Sequence, residues 1–176
     1  ENTLASEELE KALGFGFKDP ALYFDLGLLQ AGEEKYENAL ANLAQSLHYH
    51  DYTLATRLLM GGIHQKMGET GQACIHYLEA LKLADSMVVP EEHAESIRQL
   101  YGPIIETYRL KEDGEDQKKV CQVIENLLNK PDWQMQVRSG RLQLPARDEE
   151  SILIPLAEMI TQSKSGQIID AMQNVR

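Results

Sequence analysis

Between Pro20 and Met87 the chain states one pattern twice. Gly27 recurs as Gly61, Ala39 as Ala73 and Leu47 as Leu81, each pair 34 residues apart (61−27, 73−39, 81−47). Within that frame Leu26 answers Met60, Leu43 answers Tyr77, Ser46 answers Ala80 and Tyr49 answers Leu83. Bulky residues return as bulky ones and small residues as small ones. A fixed period of this length predicts stacked helix-turn-helix units, because one helix pair cannot bury its apolar face alone.

These residues resemble the tetratricopeptide repeat. The period, the Leu26-Gly27 and Met60-Gly61 pairs, Gly68 and the Ala39 and Ala73 columns carry the resemblance. So do the bulky-small-bulky ends Leu43/Ser46/Leu47 and Tyr77/Ala80/Leu81. The likeness covers residues 20–87 best and weakens on either side. Tyr23 stands where that family usually has Trp, Arg57 is unusual in the equivalent slot, and Asp51 and Asp85 replace the proline that often closes a unit. The resemblance implies an all-α fold of antiparallel helix pairs, stacked as a right-handed superhelical solenoid.

Composition agrees with helix. The chain has 176 residues, 43% of them apolar, which suffices for one domain with a core. Leu, Ala, Glu, Gln and Lys dominate, and all favour helix. The formal charge of −11 repels phosphate backbones and anionic lipid, so neither nucleic acid nor a membrane is the expected partner. No run of about eighteen apolar residues is present to span a bilayer. No basic-then-apolar leader opens the chain, although residue 1 is Glu and a leader could have been removed. Cys74 and Cys121 follow Ala73 and Val120, equivalent sites in neighbouring units. Stacked helices place such sites roughly 10 Å apart, beyond the ~7 Å reach of a disulfide. Two unbridged, buried cysteines in a reducing, cytoplasmic compartment are therefore expected.

Taken in order, residues 1–19 read as half a repeat. Ala5, Leu9, Ala12, Leu13 and Phe15 lie one period before Ala39, Leu43, Ser46, Leu47 and Tyr49. Gly14 and Gly16 end that helix and form no phosphate-binding motif. The first full unit, 20–53, has helices at about 20–32 and 36–49, with Asp19 as cap and Pro20 in the first turn. The second, 54–87, has helices at about 53–67 and 70–84. Gly61 and Gly62 inside a helix cost about 1 kcal/mol each against alanine, which close helix contact would offset. A divergent third unit, 90–130, has helices at about 90–110 and 116–129, with a bend expected at Pro103.

From Pro131 the period changes. Trp133, Met135 and Val137 alternate with polar residues, as do Leu142 and Leu144, with Ser139-Gly140 between. That pattern predicts a small β-hairpin insertion near 132–145, within a hairpin-or-linker segment 131–147, packed on helices. Residues 148–176 read as a partial C-terminal helix pair. Both ends read as cuts through a repeat array within a larger protein.

No catalytic or metal constellation emerges. His48 and His50 are two apart and do not share a helix face, and Cys74 and His76 have the same spacing. No HExxH, CxxC or nucleophile elbow is present. No cofactor is implied. The resemblance points instead to a concave groove lined by first helices, here Phe24, Leu28, Ala31, Leu58, Gly62, Gln65 and Lys66, with Glu106 and Arg109 from the third unit. Relatives that hold acidic chaperone tails use a lysine and two asparagines there. Phe24, Leu28 and Gly62 occupy those positions in this chain, so the carboxylate clamp is absent. The wall is largely apolar and suits a hydrophobic peptide or amphipathic helix; equally, adjoining units or the chain's own C-terminal part could cover it. The expected function is a non-enzymatic protein-interaction scaffold. The alternative is a regulatory or sensor segment coupled to a catalytic or transcription-factor domain outside this chain.

Overall fold

A computed structural model describes residues 2–111 and 114–142, and every regular element among them is an α-helix. In order these are α1 (Asn2–Gly14), α2 (Pro20–Gly32), α3 (Tyr36–Ser46), α4 (His50–Lys66), α5 (Thr70–Met87), α6 (Glu91–Arg109), α7 (Gly114–Leu128) and α8 (Trp133–Leu142). The chain divides between His76 and Tyr77, inside α5, into two compact units.

In the first unit α1 packs on α2, α2 on α3, α3 on α4, and α2 also on α4. The start of α2 follows from its sequence. Asp19 is extended, its carboxylate accepts the Ala21 N–H at 2.8 Å, and Pro20, which has no N–H to satisfy, takes the first turn. One turn further on, Gly27 lets α3 come close. A β-carbon at Gly27 would lie 2.6 Å from Leu43 Cγ and 3.2 Å from the Ala39 carbonyl oxygen. Ala39 and Leu43 are fully buried and join Ala31, Met60 and Ile63 in the core of this unit. Between α3 and α4 the buried hydroxyls of Ser46 and Thr56 hydrogen-bond at 2.8 Å, satisfying each other away from water.

Two turns of this unit, α2–α3 and α4–α5, share one hydrogen-bond pattern. After α2, Lys35 N–H donates to Gln30 C=O at 2.9 Å across Glu34, which is left-handed at φ 61°. After α4, Glu69 N–H donates to His64 C=O at 2.9 Å across Gly68, at φ 77°. Both are helix ends closed by a left-handed residue, and every equivalent position is 34 residues apart (64−30, 68−34, 69−35). The next helix opens alike each time: Ala39 N–H donates to Lys35 C=O and Ala73 N–H to Glu69 C=O, both at 3.0 Å.

Helix bounds differ from expectation at the joint of α3 and α4 and at the end of α5, which runs to Met87, not 84. Helix α3 stops at Ser46, not 49, and α4 starts at His50, not 53. Tyr49 is extended and caps α4, which places Asp51 in the first turn, where a carboxylate favours the positive helix end. In α1, Leu9, Ala12 and Leu13 are half-buried, whereas Ala5, and Phe15 just past the helix end, face solvent. Ser6 is the buried residue there, its hydroxyl donating to Glu33 Oε1 at 3.2 Å.

In the second unit Tyr101 donates to the buried Asp85 carboxylate at 2.9 Å, and Gln117 Nε2 donates to the Tyr108 and Lys111 carbonyls, each at 3.1 Å. On α6, Tyr101, Ile105 and Tyr108 are buried and Leu100 and Ile104 half-buried, forming its apolar stripe. On α7, Val120, Ile124 and Leu128 are buried. Helix α6 runs through Pro103.

The expected β-hairpin is not formed: residues 133–142 are the helix α8, packed on α7. Val137 is buried at 1% exposure while Met135 is 68% exposed, so the two do not share a face as alternation required. Asp132 starts this helix. Its carbonyl accepts from Met135 and Gln136, and its carboxylate accepts from the Gln136 amide at 3.0 Å. Trp133 and Val137, four apart, supply a helix face that a period of two conceals. Residues 143–147 of that segment and the partial helix pair at 148–176 lie outside the described residues.

Candidate functional site

The residues expected to line a groove divide by exposure. Phe24 on α2 is half-buried against the core, its ring 5.5 Å from that of Tyr52 on α4 at a 46° tilt. Leu28, one turn on, is 49% exposed, although its neighbours Leu26 and Gly27 are buried. Ala31 is buried at 6% and belongs to the core with Ala39, Leu43, Met60 and Ile63, so its side chain is turned away from solvent. On α4, Leu58, Gly62 and Gln65 are half-buried and Lys66 is exposed. Helices α2 and α4 are neighbours, so Phe24, Leu28, Leu58 and Gly62 belong to adjoining helices of one unit. Glu106 and Arg109 belong to the second unit, where they pair with each other at 3.1 Å.

A second cluster, unexpected from sequence, joins α4 to the start of α5. Arg57 Nη1 is 3.2 Å from His76 Nδ1. A guanidinium can only donate, so this nitrogen accepts and the His76 proton resides on Nε2. The ring is therefore neutral. Burial pushes its pKa down to about 4, helped by the Arg57 charge and then by His64. The His64 and His76 rings stack with centroids 5.1 Å apart and planes 12° from parallel. His64 Nδ1 in turn meets Glu69 Oε2 at 2.6 Å, across the turn. Arg57 Nε is buried and has no hydrogen-bond partner among the described residues.

One period earlier the same positions hold a simpler contact. His64 and His76 correspond to Gln30 and Asn42 (64−34, 76−34), and Asn42 Nδ2 donates to Gln30 Oε1 at 2.8 Å. Gln30 Nε2 continues to Glu10 Oε1 at 3.0 Å. Inspection of histidines along single helices misses this site, because its partners are twelve residues apart on two helices (76−64, 42−30). The available signal was the recurrence of a polar pair at both places in the period, together with Arg57 in a slot where the first unit has Tyr23.

Among the described residues no group of three or more His, Cys, Asp or Glu side chains could hold a metal ion. Cys74 and Cys121 are buried thiols, not halves of a disulfide. No helix of the described residues is long and apolar enough to cross a membrane. No family model matches the chain, and neither a curated protein nor a solved structure matches it.

Proposed function

We propose that this chain is a tetratricopeptide-like array of helix pairs, stacked as a right-handed superhelical solenoid, that acts as a non-enzymatic scaffold for a protein partner. The observation that carries the reading is the recurrence of one turn at a spacing of 34, with left-handed Glu34 and Gly68 at equivalent places. The close approach at Gly27 is the small-residue contact that such a pair requires. The partner is a hydrophobic peptide or amphipathic helix laid along α2 and α4 of the first unit, against Phe24, Leu28, Leu58 and Gly62. Leu28 supports this assignment, since a leucine 49% exposed beside a buried glycine on an otherwise packed helix contributes little to the fold. Buried, unbridged thiols suit a cytoplasmic setting.

Leu28→Glu tests the reading. The substitution should change unfolding free energy by no more than about 0.5 kcal/mol, as expected for an exposed position. It should abolish partner capture, because a carboxylate pressed unpaired into an apolar interface is strongly unfavourable. Thermal melts and selection of binding peptides from a random library read the two effects separately. A large loss of stability would make Leu28 part of the core, and unchanged peptide selection would place the binding surface elsewhere.

A further inference from the structure

We propose that the contact between α4 and the start of α5 is an acid-sensitive latch: protonating His76 removes the acceptor that meets Arg57 and parts this helix pair, while the α2–α3 pair stays closed.

The geometry leaves a protonated His76 poorly placed. Nδ1 spends its lone pair on Arg57 Nη1 at 3.2 Å. An added proton must go on Nδ1, since Nε2 already carries one, and two N–H groups then point at each other across that distance. The result is an imidazolium against a guanidinium, with the His64 ring stacked 5.1 Å away. Glu69 Oε2 meets His64 Nδ1 at 2.6 Å at the edge of the same cluster. On its own helix, Glu79 one turn beyond His76 is engaged by Lys82. Only 9% of His76 is exposed, so water offers the new charge little solvation.

The direction follows from where the proton binds. Unfolded His76 ionises near 6.5, and the folded residue near 4. Between those values the unfolded chain binds more protons, so stability is intact above pH 6.5 and falls as the pH descends toward 4. The first helix pair has no such response at its equivalent contact, because the amides of Gln30 and Asn42 do not titrate.

The test is a pH titration of the whole 176-residue chain by 1H–15N NMR, following the five histidines and the backbone amides. His76 should be the neutral Nε2–H tautomer and should ionise near 4. Amides of α4 and the start of α5 should lose exchange protection on acidification before those of α2 and α3. The double variant His64→Gln/His76→Asn installs the first pair's amides in the second. Relative to wild type it should recover about 100-fold of the folding equilibrium constant lost between pH 7 and 4. Ionisation of His76 near 6.5 in the folded chain overturns the proposal, as does a double variant that is as acid-labile as wild type. Should the double variant fail to fold, the wild-type tautomer, titration and protection pattern decide the question without it.

Discussion

The α2–α3 and α4–α5 helix pairs share a backbone plan and differ in what they place on it. Both close their first helix with a left-handed residue, but one uses Glu34 and the other Gly68. Both bury an alanine fully at the same place, Ala39 and Ala73. Both bridge their helices with a polar pair, yet one pair is Gln30 with Asn42 and the other His64 with His76. The difference teaches that the period specifies where helices meet, while the chemistry of the meeting is free to vary. An amide pair is indifferent to pH. An imidazole pair beside a guanidinium is not.

The largest expected effect concerns the shared alanines. Ala39→Glu and Ala73→Glu should each cost on the order of 3 kcal/mol or more, since there is no room for the side chain and no partner for its charge. Urea unfolding of the two variants measures this directly. If one position accepts glutamate and the other does not, the two pairs are not equivalent where they pack most tightly.

Gly27→Ala should give a smaller loss. Overpacking against Leu43 and the Ala39 carbonyl costs about 1–3 kcal/mol, against a gain of about 1 kcal/mol in helix propensity. A net loss of up to about 2 kcal/mol is expected in the same assay. A net gain would mean that the close contact in the first pair is slack.

The turns give the smallest effects, with opposite signs. Glu34→Gly should stabilise by about 1 kcal/mol by relieving a left-handed side chain, and Gly68→Ala should destabilise by a similar amount. Thermal melts of the two single variants suffice. Equal signs would show that the two turns, alike in hydrogen bonding, differ in strain.

Much of the first unit was legible as sequence. Asp19 and Pro20 announced the start of α2, and Gly68 announced the end of α4, because caps and left-handed turns have local causes. The Gly27 and Ala39 columns announced a close helix contact, because only small residues permit one. The segment after Pro131 departs from its strand-like pattern for a reason equally physical. Over five residues, Trp133 to Val137, apolar residues at every second position satisfy both a strand and part of a helix face. Asp132 as a cap and a helix to pack on decide between them, and the second of these is not a local property. Ala31 shows the same limit, since one residue's angle around α2 separates core from surface.

The sequence by itself determined the helical class, the spacing of the helix pairs and the places where backbones approach, because these depend on period, residue size and local caps. Tertiary structure alone decided that Arg57, His64, His76 and Glu69 form one cluster. Their contacts cross a hairpin at separations that no single-helix pattern records. It also decided the protonation state of His76, because a pKa depends on burial and on charges brought close by folding.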